Sequence, residues 1–223
     1  MGCTDGEIRF WNSTTREIEQ SSVKCKRSIL TVRFSPDGQS LVTVYHDGQA
    51  QIWGRDGTPR GEPIKHADKI NYAEFHPKGD IVATAGDDSA VRFWNAADGT
   101  ASGKVLPLFD RVVRLSFSPD GKQLATCGFD RAVRCWDYST LLPTAPPLMH
   151  TDNATRLDIN PQGTQIASGS WDRTAKVWEH PVPVTGSPNQ ISQQIERILG
   201  SRMSSDREFV DLEPEDWKKL SAP

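Results

Sequence analysis

Six residues before each of five tryptophans the chain carries an aspartate: Asp5 before Trp11, Asp47 before Trp53, Asp88 before Trp94, Asp130 before Trp136 and Asp172 before Trp178. Four residues before the last four aspartates stand Thr43, Thr84, Thr126 and Ser168, and histidines occur at 66 and 150. Hydroxyl, imidazole and carboxylate are the parts of a nucleophilic triad, in which histidine takes the proton of the attacking hydroxyl and aspartate orients the ring. A hydrolase needs one such triad, with its nucleophile exposed beside an oxyanion hole. A combination that returns at a fixed interval reads instead as architecture, in which buried polar groups satisfy one another.

Other chemistry has little support. Cys3, Cys25, Cys127 and Cys135 include no CxxC pair and have no histidine at ligand spacing, which argues against a zinc site. Cys127 and Cys135 fall on neighbouring segments, so a disulfide is open to them, as is the state of small buried thiols in a reducing cell. No kinase glycine-rich loop, HRD or DFG occurs, and neither a cofactor nor a metal is expected.

The tryptophans are separated by 42, 41, 42 and 42 residues, the signature of an internal structural repeat. Within each unit a Pro-Gly turn, "SPDG", "HPKG", "SPDG" or "NPQG", follows an apolar segment such as "INYAEF" or "VVRLSF". A hairpin comes next. Its first arm is "SLVTV", "DIVATA", "QLATC" or "QIASG"; its second alternates, as Val91 and Phe93 do about Arg92. Weaker strands fit "GEPI", "KVLPL" and "APPLM". Four short strands per unit make one blade of a β-propeller.

Over about residues 1–180 the chain resembles the WD-repeat family, although among the five periodic tryptophans the dipeptide that names it is intact only at Trp136-Asp137. The resemblance implies an all-β fold and a hydrogen-bonded set inside each blade. Its complete sets here are His66, Thr84, Asp88 and Trp94, and His150, Ser168, Asp172 and Trp178. The expected units are a partial blade at 1–22 and full blades at about 23–64, 65–106, 107–148 and 149–186. Seven blades are common in the family, so an open arc is expected, the C-terminal part of a longer protein with blades missing upstream.

Propellers of this family bind partners where the hairpin turns gather. Immediately before the aspartates stand His46, Asp87, Phe129 and Trp171, and after two of them Arg131 and Arg173. One period apart, the two aromatics and two arginines are expected side by side. They read either as interface anchors or as covers for their own blades, with the arginines paired to aspartates.

After Glu179 the segment "HPVPVTGSP" reads as a linker. A helical tail is expected over 187–223: one helix from Ser187 to Gly200 with Ile191, Ile195, Ile198 and Leu199 on one face, and another from Pro214 to about Leu220. It either caps the last blade or binds a partner. The tail resembles those of bacterial WD-repeat proteins, some of which carry an N-terminal serine/threonine protein kinase.

Across 223 residues the net charge is −3, with 36% hydrophobic and 25% charged residues. This is a globular balance with no broad basic surface for nucleic acid. No apolar run reaches the roughly 18 residues of a membrane span, and no secretion signal opens the chain; a soluble, cytoplasmic protein is expected. The sequence therefore points to a non-catalytic scaffold or regulatory module that binds other proteins or peptides. A propeller enzyme, or the regulatory half of a kinase, is the alternative.

Overall fold

In "AVRFWN" the apolar Val91 and Phe93 point to one side and Arg92 to the other, a period of two that suits a strand with one face in a core. In the computed structural model, which describes residues 6–181, 201–203 and 209–211, this segment is a strand and its counterparts in every unit are too. The first sheet pairs β1 (Glu7–Asn12) with β2 (Glu17–Lys24). The second runs β3 (Ile29–Phe34), β4 (Ser40–Tyr45), β5 (Ala50–Gly54), β6 (Pro59–Ile64). The third runs β7 (Ile70–Phe75), β8 (Ile81–Gly86), β9 (Ala90–Asn95), β10 (Ala101–Pro107). The fourth runs β11 (Val112–Phe117), β12 (Gln123–Gly128), β13 (Ala132–Asp137), β14 (Leu148–Met149). The fifth holds β15 (Ala154–Ile159), β16 (Gln165–Ser170) and β17 (Ala175–Glu179).

All pairings are antiparallel, in sequence order, so each unit is a meander. Sheets end at Lys24, Ile64, Pro107 and Met149, against expected unit ends at 22, 64, 106 and 148. The outer strand completes its pairing before the chain turns back toward the next inner strand.

Successive sheets hide each other's apolar faces. Val91 and Phe93 of the third sheet pack with Leu115, Phe117 and Leu124 of the fourth, whose Val133 and Cys135 pack in turn with Leu157 and Ile166 of the fifth. At this repeat position Phe93 is 1% exposed and Cys135 2%, whereas Val177 of the fifth sheet is 67% exposed. Among the described residues nothing covers the fifth sheet at that position.

A bulge recurs at the start of each inner strand. Ile70 pairs with Gly86 and Tyr72 with Ala85, leaving Asn71 as the extra residue. Leu30, Val113 and Thr155 hold the same position in the other sheets. A bulge re-aims side chains at a sheet end, and three of these four residues border the site below.

Cys127 and Cys135 lie on paired strands but opposite Val133 and Ala125 respectively. Both are free thiols, which burial pushes up to about 12.

In the C-terminal segment, in the stretch of sequence between the two expected helices, β18 (Ser201–Met203) and β19 (Phe209–Asp211) form an antiparallel pair. Phe209 and Val210 are strand formers. The expected helices at 187–200 and 214–220, with Trp217, lie outside the described residues, as do Cys3 and Asp5. No described helix is long and apolar enough to cross a membrane.

Candidate protein-binding face

Register explains how the recurring polar residues meet. Thr84 pairs with Arg92, and Trp94 lies two residues further along β9, so hydroxyl and indole sit diagonally on one face. Trp94 Nε1 donates to Thr84 Oγ1 at 2.8 Å. His66, in the loop after β6, lies with Nε2 2.6 Å from Thr84 Oγ1 and Nδ1 2.9 Å from Asp88 Oδ1. Arg92 Nη2 donates to the other Asp88 oxygen at 2.9 Å. With the imidazole proton on Nδ1 every donor has an acceptor: indole to hydroxyl, hydroxyl to imidazole, imidazole to carboxylate.

The fifth sheet repeats this set. Trp178 Nε1 donates to Ser168 Oγ at 2.8 Å, His150 Nε2 lies 2.8 Å from that oxygen, and His150 Nδ1 lies 3.1 Å from Asp172 Oδ2. Burial lowers the pKa of His66 and favours its neutral ring. Burial also pushes Asp88 up, but the hydrogen bonds from His66 and Arg92 outweigh it and hold the carboxyl below its ordinary range. The Thr174 hydroxyl leads the groups that hold Asp172 low.

These are triad distances without triad access. Both imidazoles are 0% exposed, Thr84 and Ser168 are buried, and each hydroxyl already takes an indole proton. A nucleophile needs an open approach to substrate, and neither hydroxyl has one. No group of three potential metal ligands occurs among the described residues.

The two full sheets without the histidine solve the same problem with other residues. In the fourth sheet Leu108 holds the histidine position, Trp136 Nε1 still donates to Thr126 Oγ1 at 2.9 Å, and Arg134 Nε takes Asp130 at 2.8 Å. In the second sheet Cys25 stands at the histidine position. There the buried Tyr45 brings its hydroxyl to Thr43 and Cys25. Its counterpart in the third sheet is Gly86, where a Cβ would lie 2.5 Å from His66 Nδ1. Histidine with glycine, or cysteine with tyrosine, fills the same space.

The residue before each hairpin aspartate is held by a repeated backbone bond. His46, Asp87, Phe129 and Trp171 donate their N–H to the carbonyls of Ser28, Lys69, Arg111 and Asn153 at 2.8–3.0 Å. Gly128 makes room for this approach, since a Cβ there would strike the Arg111 carbonyl. Phe129 and Trp171 consequently meet, with ring centroids 5.4 Å apart and planes at 58°, a tilted pair of the favoured kind. Trp171 remains 58% exposed. Beside them is a concavity of ≈ 420 Å³ bordered by Asp87, Arg111, Arg156 and the bulge residues Asn71, Val113 and Thr155.

The expected arginines are not among its lining residues. Arg131 and Arg173 occupy the left-handed position of their turns (φ 64° and 67°); they are exposed, with no ion pair among the described residues. The aspartates pair instead with Arg92 and Arg134, and exposed His46 does not border the concavity. Arg111 and Arg156 supply its cations, and sequence reasoning missed both. A signal for Arg111 existed: the residue preceding each inner strand's pairing, at 28, 69, 111 and 153, also recurs at the repeat interval.

The family model for the WD domain, G-beta repeat, matches residues 19–54, 57–95, 107–137 and 148–179, more than half of the chain, which therefore belongs to that family. Members of this family typically mediate protein–protein interaction or regulation. Among curated relatives, polyadenylation factor subunit 2 of Candida albicans is 28% identical over 90 residues, 40% of this chain and 17% of that protein. Anaphase-promoting complex subunit cdh1 of Dictyostelium discoideum is 31% identical over 97 residues, 42% of this chain and 13% of that one. Transcriptional corepressor LEUNIG_HOMOLOG of Arabidopsis thaliana is 38% identical over 96 residues, 41% and 12% respectively. The matches thus span less than a fifth of these relatives' lengths.

Proposed function

We propose that this chain is a non-catalytic interaction module: blades of a WD-repeat propeller, held as an open arc, that bind partner proteins or peptides on the hairpin-turn face. The observation that carries this is the Phe129–Trp171 pair, fixed by backbone bonds yet open to solvent beside a concavity. Exposed aromatic and arginine side chains are the usual anchors of protein interfaces. Burial of both complete polar sets supports a scaffold rather than an enzyme, and the uncovered face at Val177 supports the open arc. We place its action in the cytoplasm. Membership of a larger protein with a kinase domain rests only on the sequence of the tail; the relatives named above are eukaryotic.

The test is capture of partners from lysate by the immobilised chain and by a Phe129→Ala/Trp171→Ala double variant. Loss of capture is expected, with thermal stability changed by no more than about 1 kcal/mol. Unchanged capture, or loss accompanied by a large fall in stability, would contradict the reading.

A further inference from the structure

We infer that the concavity beside Phe129 and Trp171 takes an acidic peptide segment of a partner protein, an apolar or aromatic side chain lying against the two rings and a carboxylate on Arg111 and Arg156. This rests on reading the turn face as the binding face and adds the chemistry of what binds there.

Charge is distributed unevenly among the arginines. Arg27, Arg55, Arg92 and Arg134 are engaged by Asp47, Glu19, Asp88 and Asp130 at 2.8–3.1 Å. Arg111 and Arg156 have no carboxylate at ion-pair distance among the described residues. The Arg111 guanidinium lies 5.7 Å from the Phe129 ring centroid, and Arg156 Nη1 donates to the Thr155 carbonyl at 2.8 Å. Each retains free donors, and a guanidinium with free donors matches a carboxylate in a two-point, charge-assisted contact.

One carboxylate borders the same space. Asp87 accepts from Asn71 Nδ2 at 2.7 Å, so a single anion faces two cations and the lining is net positive in a chain of net charge −3. Another cation lies on β11 outside the lining: the Arg114 guanidinium is 4.2 Å from the Tyr72 ring centroid, and its Nε is buried without a hydrogen-bond partner among the described residues.

Aromatic rings beside arginines also suit single-stranded nucleic acid. That ligand, however, needs a basic track along its backbone, and Asp87 would repel successive phosphates. The ≈ 420 Å³ of space suits a few side chains rather than an extended polyanion.

The experiment is fluorescence anisotropy on the full chain with a labelled peptide carrying a central phenylalanine flanked by glutamates. A lysine-flanked peptide and an oligo-uridylate serve as the other probes. The glutamate peptide should bind at least about tenfold more tightly than the lysine peptide, and weaken about tenfold in Arg111→Gln and in Arg156→Gln. Arg60→Gln, away from the concavity, should bind as the parent does. Equal or absent binding of the two peptides, or tighter binding of the oligo-uridylate, overturns the proposal. If the aromatic double variant loses partner capture while the glutamate peptide fails to bind, the face stands and the acidic chemistry falls. If capture also survives, both fall.

Discussion

The Thr84 hydroxyl sits between an indole that gives it a proton and an imidazole that takes one, and the carboxylate of Asp88 closes the chain. Removing the imidazole strands Asp88 and Thr84 in a buried setting. His66→Ala should therefore lower stability by about 3 kcal/mol, measured by denaturant unfolding. Acid should act through the same set. The imidazole of an unfolded chain titrates near 6.5, whereas burial holds that of His66 lower in the fold. Between the two values unfolding takes up a proton, so stability falls as the pH drops below about 7. Asp88, held below its ordinary 3.8, keeps its contribution until the pH falls beneath that value and loses it through the folded pKa. Unfolding midpoints across pH 4–8 should show the first slope in the parent and a shallower one in His66→Leu; equal slopes would contradict it. The aspartate, threonine and tryptophan of each set were legible because their spacing repeats. The exchange of His66 and Gly86 for Cys25 and Tyr45 was not, because positions 20 residues apart compensate only when the strands are paired.

Alternation of apolar and polar residues was enough to mark the strands, since each sheet has faces that must be covered. It could not reveal the bulges at Asn71, Val113 and Thr155: an extra residue changes pairing without changing composition. Nor did it find Arg111 and Arg156, whose importance depends on where a bulge directs the chain. In the tail no strand was expected, and the short described segments at 201–203 and 209–211, outside the apolar stripe at 191–199, pair as strands because three-residue runs are too short to show alternation. Two element-scale outcomes follow from the packing. Gly86→Ala should cost about 2 kcal/mol, because β8 and the His66 ring approach too closely for a methyl group; a neutral thermal shift would show that the loop yields. Lysine at one repeat position should separate the sheets: Phe93→Lys should prevent soluble folding, while Val177→Lys should change stability by less than about 0.5 kcal/mol. Equal damage at both sites, read by circular dichroism and unfolding, would mean the fifth sheet's far face is covered.

At the scale of the molecule, repetition makes the sheets and departure from repetition makes the site. Position by position the five units share their cores, yet the residues before the hairpin aspartates run His46, Asp87, Phe129, Trp171. Only the last two form an aromatic pair. If the blades form the open arc proposed above, the edge and exposed face of the fifth sheet at Val177 are free to pair with a second copy, so sedimentation velocity should show oligomers as concentration rises; a monomer at every concentration would count against the open arc. The binding face itself is best tested by hydrogen–deuterium exchange of the chain with and without a partner recovered by capture. Slower exchange is predicted in the turns at 128–131 and 170–173 and in the amides next to Arg111 and Arg156. Protection confined to the outer strands β6 and β10, with those turns unchanged, would contradict the account.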